Sequence, residues 1–117
     1  MKATSLRIYV HENRRHHGML LYEWLLEQSR RAGIHGGSVF RAISGYGRHG
    51  VLHDQQFFEL AGELPVAAEF IVSDREAEQL LAILRREKID VVYARWEVEF
   101  STTNNPPAPL QTPSEGS

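Results

Sequence analysis

The sequence has no cysteine among its 117 residues. Disulfides, thiol nucleophiles and cysteine-ligated zinc or iron–sulfur clusters are therefore excluded. It has no excess of positive charge: thirteen Lys and Arg stand against fifteen Asp and Glu, a formal net charge of −2. A sequence-independent nucleic-acid binder needs a basic excess to release phosphate counterions, so no nucleic-acid partner is expected. Long hydrophobic runs are also missing. The longest, Leu80–Leu84, is five residues, far short of the ~20 that span a bilayer. The N-terminal MKATSLRIYV has no apolar signal-peptide core. A cytoplasmic protein, not itself membrane-inserted, is expected.

Proline is scarce until the end. Four of the five prolines fall in residues 101–117, STTNNPPAPLQTPSEGS, with one charge (Glu115) and one large aliphatic (Leu110). That segment cannot bury enough apolar surface to offset its ordering entropy. A Pro/Ser/Thr-rich disordered tail is predicted over 101–117, and one domain without internal repeats over 1–100. The overall composition, 42% hydrophobic and 24% charged, is that of an ordinary globular chain able to bury its own core.

Periodicity orders the elements. Leu6, Ile8 and Val10 alternate with Arg7 and Tyr9, the pattern of a half-buried strand. Between Gly18 and Ala32, the residues Leu20, Leu21, Trp24 and Leu25 make one apolar helical face, and Gly33 follows as a stop signal. Ser38–Ser44 is β-rich, and Pro65–Val72 reads as a strand with proline at its edge. Ser73-Asp74-Arg75-Glu76 matches a capping box, and Ala77, Leu80, Leu81 and Leu84 continue a helix. Val91–Phe100 is a final strand. The order β-α-β-β-α-β predicts an α+β, ferredoxin-like sandwich: a four-stranded antiparallel sheet with two helices on one face.

One parity set is apolar: Leu6, Ile8, Val10, Val66, Ala68, Phe70 and Val72, joined by Val92, Ala94, Trp96 and Val98. It is expected beneath the helices, with Trp24 and Trp96 both in the core. The opposite set, Arg7, Tyr9, Glu69, Ile71, Tyr93, Arg95 and Glu97, is either a solvated face or a subunit interface. Glu97 and Glu99 then read as ion-pair partners at that interface.

The stretch Gly36–His53 is the most informative for chemistry. A strand runs into Gly45-Tyr46-Gly47-Arg48. Glycines after a strand let backbone N–H groups approach an anion, and Arg48 adds a fork of donors suited to phosphate. The same glycines also suit a plain hairpin turn. Histidines offer a different chemistry. His11, His16 and His17 precede the first helix, and His49 and His53 lie four apart. A transition-metal site needs three or four converging ligands, which Glu12 or Asp54 would help to complete. Arg14-Arg15-His16-His17 otherwise reads as a solvated basic loop. No nucleophile elbow or Ser/His/Asp arrangement is legible, so no catalytic residue is assigned and no enzyme is expected.

Gly45-Tyr46-Gly47-Arg48 is similar to the Gly-Phe-Gly-Arg segment that opens the T-loop of PII signalling proteins. More broadly, LRIYV, LYEWLLEQSRRAGIHGGSVFRAISGYG and LPVAAEFIVS resemble the uncharacterised PII-like family of small bacterial and archaeal proteins. The resemblance implies a homotrimer with sheets packed inward and an adenine nucleotide (AMP, ADP or ATP) bound as effector in inter-subunit clefts. It also implies control of a membrane transporter or enzyme through residues 45–64. Carried over by position, Gly45, Tyr46, Gly47 and Arg48 line one side of the phosphate site. Arg86 and Lys88 take the place of the second phosphate-binding loop. That loop is glycine-rich in PII and has no glycine here. Glu97 and Glu99 stand where PII has basic residues, and residues 48–64 hold no tyrosine for modification. The CutA copper-tolerance proteins share the implied fold. They make a metal-binding trimer using His49 and His53 the alternative, with no metal required in the leading reading.

Overall fold

The computed structural model of the chain describes residues 2–43 and 65–106. In chain order the elements are β1 (Lys2–His11), β2 (Arg15–His16), β3 (Met19–Leu20), α1 (Leu21–Arg31), β4 (Ser38–Arg41), β5 (Pro65–Val72), α2 (Asp74–Arg86) and β6 (Val92–Glu99). The four long strands form one sheet in the order β4-β5-β1-β6, every neighbouring pair antiparallel. Both helices cover one face. This is the ferredoxin-like βαββαβ arrangement, with a small β2–β3 hairpin inserted before α1. The hairpin turns at His17 (φ +53°) and Gly18 (φ +82°). It takes residues that helical spacing assigns to α1, so the helix starts at Leu21 rather than near Gly18.

The core lies between the sheet and the helices. Alternation in β1 buries Leu6, Ile8 and Val10, and alternation in β5 buries Val66, Ala68, Phe70 and Val72. Against them pack Leu21, Trp24 and Leu25 of α1, and Ala77, Leu80, Leu81 and Leu84 of α2. Ser73 and Glu76 make the reciprocal capping box: the Glu76 amide donates to Ser73 Oγ (3.1 Å) and the Ser73 amide to Glu76 Oε1 (2.9 Å). Both helices end in the same way. After α1, Gly33 (φ +85°) donates to Arg30 O and Ile34 to Ser29 O. After α2, Lys88 (φ +58°) donates to Arg85 O and Ile89 to Leu84 O. Each is a Schellman turn sealed by a buried isoleucine, and the second places a lysine where glycine is usual.

β6 departs from expectation. Its register with β1 pairs Leu6 with Arg95, Ile8 with Tyr93 and Thr4 with Glu97. Partners across an antiparallel pair share a face, so Tyr93, Arg95 and Glu97 turn to the helix side. Val92, Ala94, Trp96 and Val98 turn to the open face. The alternation is as read from the sequence, but the face is reversed, because a slip of one residue in register exchanges every side chain. Trp96 is therefore not core: it is 43% exposed. Arg95 is accommodated on the helix side by the acidic start of α2, where it donates to Asp74 Oδ1 (2.9 Å) and Glu78 Oε2. These bonds hold its guanidinium above the usual arginine range, the one to Glu78 most strongly. Glu97 meets Lys2 (3.8 Å) on that side instead of a partner on the open face. Beyond β6, Thr102 and Asn105 form a bridge, with the Asn105 amide donating to Thr102 O (3.1 Å).

Candidate functional site

One end of the sheet gathers the residues singled out for chemistry. Val10 of β1 and Arg41 of β4 both pair with Val66 of β5, and Tyr9 pairs with Val92, the first residue of β6. The ends of β1 and β4 and the starts of β5 and β6 therefore lie together. The Ala42 amide donates to Pro65 O (3.0 Å), which brings the two flanks of residues 44–64 to this end. Gly45, Tyr46, Gly47, Arg48, His49, His53 and Asp54 lie outside the described residues.

Arg86 ends α2 and Lys88 follows it by two, so the second half of the expected phosphate site sits at the same sheet end as those flanks. Both side chains are exposed, and among the described residues no carboxylate pairs with either. A helix C-terminus carries partial negative charge. Attraction for a phosphate here must come from the two side chains, because the backbone would repel it.

Glu87, between them, is engaged by two histidines. Its Oε1 lies 3.1 Å from His16 Nε2 and 3.3 Å from His17 Nε2. The hydrogen bond to His16, then that to His17, holds its carboxyl below the usual carboxylate range. The basic run before α1 is thus tied down rather than merely solvated. Arg14 donates to Asp90 O (2.8 Å) and Arg15 to Gly18 O (3.0 Å). Glu12, a suggested helper of the histidines, instead accepts from Arg41 (3.1 Å). Sequence reasoning missed Glu87, which is 71 positions from His16. No spacing rule links them; only the return of α2 toward β1 does.

The open sheet face is the second feature. Arg7 donates to Glu69 Oε2 through Nε (3.1 Å) and Nη2 (2.5 Å) at its centre. The bond to Glu69, with a smaller contribution from Tyr9, raises the Arg7 guanidinium above the usual range. Around this pair stand Ala67, Ile71, Ala94, Trp96 and Val98, and Phe40 on β4 is 54% exposed. An ion pair ringed by apolar and aromatic side chains has the make-up of an interface centre more than of a wetted surface.

The family model described as Uncharacterized ACR, COG1993 (DUF190) matches residues 3–100. A UPF0166 protein of Aquifex aeolicus is 31% identical over 101 residues, covering 80% of this chain and 96% of that protein. UPF0166 protein MJ1524 of Methanocaldococcus jannaschii is 33% identical over 81 residues, covering 69% and 74%. Among solved structures, CPII of Thiomonas intermedia K12 bound to ADP, AMP and acetate superposes with a TM-score of 0.59 at 16% identity, covering 86% of this chain and 90% of that one. A candidate PII-like signaling protein of Thermus thermophilus gives 0.55 at 21% identity, covering 83% and 87%. At these identities the structural likeness establishes the fold.

Proposed function

The chain belongs to the family described as Uncharacterized ACR, COG1993, and on that premise we propose that it is a PII-like regulatory trimer, not an enzyme. Residues 1–100 form the regulatory domain, and 101–117 lie outside it. The trimer binds a small anionic effector of the adenine nucleotide class between subunits. Through residues 45–64 it engages a transporter or enzyme in the cytoplasm. The observation that carries this reading is the shared fold: CPII, which has it, is bound to ADP and AMP in a solved structure. Two features of this chain support it. The open sheet face has the composition of a subunit interface. The exposed cations Arg86 and Lys88 sit at the sheet end from which residues 44–64 depart.

Gly45, Gly47 and Arg48 supply backbone and guanidinium donors from one side of the effector; Arg86 and Lys88 supply charge from the other. Switching requires that the effector prefer one state of residues 45–64. Moving a two-state equilibrium from 1:99 to 99:1 takes about 5.5 kcal/mol of differential affinity. A few charge-assisted hydrogen bonds, at roughly 1.5–3 kcal/mol each, supply that.

Calorimetric titration with AMP, ADP and ATP tests the proposal. Saturable binding of at least one nucleotide is expected, weakened by Arg48→Ala and by Arg86→Ala. Flat titrations for all three would remove the nucleotide, and a light-scattering mass of one 13.4 kDa chain would remove the trimer.

A further inference from the structure

We propose that His16, His17 and Glu87 form a binding site for a transition-metal ion of the zinc class. The three ligands are not among the residues proposed for the nucleotide cleft, and the inference does not depend on that reading. Among the described residues this is the one group of three His, Asp or Glu side chains whose ligand atoms converge, all lying within 4.8 Å of one another. Glu87 Oε1 stands 3.1 Å from one imidazole nitrogen and 3.3 Å from the other. Ligands bound at 2.0–2.1 Å at the corners of a tetrahedron are separated by about 3.3 Å along each edge. The spacing of a zinc site is therefore largely present, and small side-chain rotations would admit the ion.

Each ligand is held by something rigid. The His16 ring stands edge-on to Trp24, with centroids 4.6 Å apart and planes at 72°, and Trp24 is itself buried. The His17 ring lies 4.1 Å from that of His16, and its backbone is fixed by the tight β2–β3 turn. Glu87 caps α2 at the start of a Schellman turn. The two non-glycine residues with left-handed backbone among the described residues are His17 and Lys88: one a ligand, the other next to a ligand. Conformations of that kind persist only where the surroundings enforce them.

The donor set decides the class of ion. Two imidazoles and one carboxylate are borderline to hard ligands, suited to zinc, nickel or copper(II) and unsuited to thiophilic copper(I). Three protein ligands leave a fourth position to water or an anion. A metal here would join the loop between α2 and β6 to the β2–β3 hairpin.

The test is titration of the full chain with zinc chloride at neutral pH, followed by calorimetry and by imidazole resonances in nitrogen-edited NMR. One zinc per chain is expected, with the ring signals of His16 and His17 shifting. His17→Ala and Glu87→Gln, both changes of accessible side chains, should each weaken binding by at least about tenfold. The double variant His49→Ala/His53→Ala should leave it unchanged. The proposal is overturned by flat titrations with zinc, nickel and copper(II). It is equally overturned if zinc binding persists unaltered in His17→Ala or Glu87→Gln, or disappears with His49 and His53.

Discussion

The guanidinium carbon of Arg7 lies 5.5 Å from the ring centre of Trp96, diagonally across the seam between β1 and β6 on the open sheet face. The same guanidinium is held from the other side by Glu69 of β5. Three strands are thereby linked on a face that neither α1 nor α2 covers. The indole lies outside the monomer's core, so it can be replaced without removing core packing.

If the proposed trimer meets through this face, Trp96→Glu should separate its subunits without unfolding them. A carboxylate there must be desolvated beside a guanidinium already engaged by Glu69, in an otherwise apolar contact, which costs far more at an interface than on a free surface. Light scattering is expected to show a trimer for the parent chain and a single chain for Trp96→Glu, with an unchanged circular dichroism spectrum. Trp96→Phe should stay trimeric. A trimer that tolerates Trp96→Glu would show that the subunits meet elsewhere.

Gly36 and Gly37 precede β4 and should respond oppositely to alanine. A Cβ on Gly37 would stand 2.5 Å from Phe70 Cε1 and 3.1 Å from Leu26 Cδ2, whereas one on Gly36 meets nothing within 4 Å. Phe70 is fully buried and cannot swing away. Overpacking of this kind costs about 1–3 kcal/mol. Gly36→Ala should be neutral, or stabilising by up to about 1 kcal/mol through a less mobile unfolded chain. Urea denaturation of the two variants checks this; equal midpoints would contradict it.

Those two glycines illustrate how far the sequence can be read. A glycine pair before a strand is legible, but which of the two lies against Phe70 depends on packing between elements distant in sequence. Local rules carried the capping box at Ser73, the stop at Gly33 and the alternation in β1 and β5, because each is satisfied within a few residues. The matching family model bears out the resemblance to an uncharacterised PII-like family, and the fold follows the predicted order of elements. The face of β6 was misassigned because alternation fixes which residues share a face, not which face they take. That choice was made by register with β1 and by the carboxylates Asp74 and Glu78 waiting for Arg95. The meeting of His16 and His17 with Glu87 was invisible for the same reason.

Glu27 provides a titration test. It accepts hydrogen bonds from Arg30 (2.7 Å) and Arg31 (3.1 Å), and these, Arg30 foremost, hold its carboxyl below the usual range. A carboxyl depressed in the folded state binds its proton less readily there than in the unfolded chain. Its contribution to stability is therefore present above the unfolded pKa and lost as pH falls through the folded one. The groups are exposed, so the effect should show in Glu27 itself more than in global stability. NMR should place its midpoint below the ordinary ~4.3 of glutamate. In Arg30→Ala/Arg31→Ala it should rise toward that value, and an unmoved midpoint would discount the pairing.

Lys88 sets stability against function. It occupies the left-handed position that closes α2, at φ +58°, and its amide donates to Arg85 O (3.0 Å). A residue with a Cβ pays roughly 1–2 kcal/mol for that backbone, which glycine does not. Glycine also loosens the unfolded chain, so the net gain from Lys88→Gly should be about 1 kcal/mol or less. The proposed role of the side chain predicts the opposite for binding. Removing one exposed cation from a phosphate contact should weaken nucleotide affinity by about tenfold, the equivalent of about 1.4 kcal/mol, at the low end of what a charge-assisted bond supplies. Thermal denaturation and calorimetry on the same variant separate the two effects. A more stable protein that binds nucleotide less well is the expected result. A variant that is more stable and binds as tightly as the parent would leave Lys88 without a part in the site.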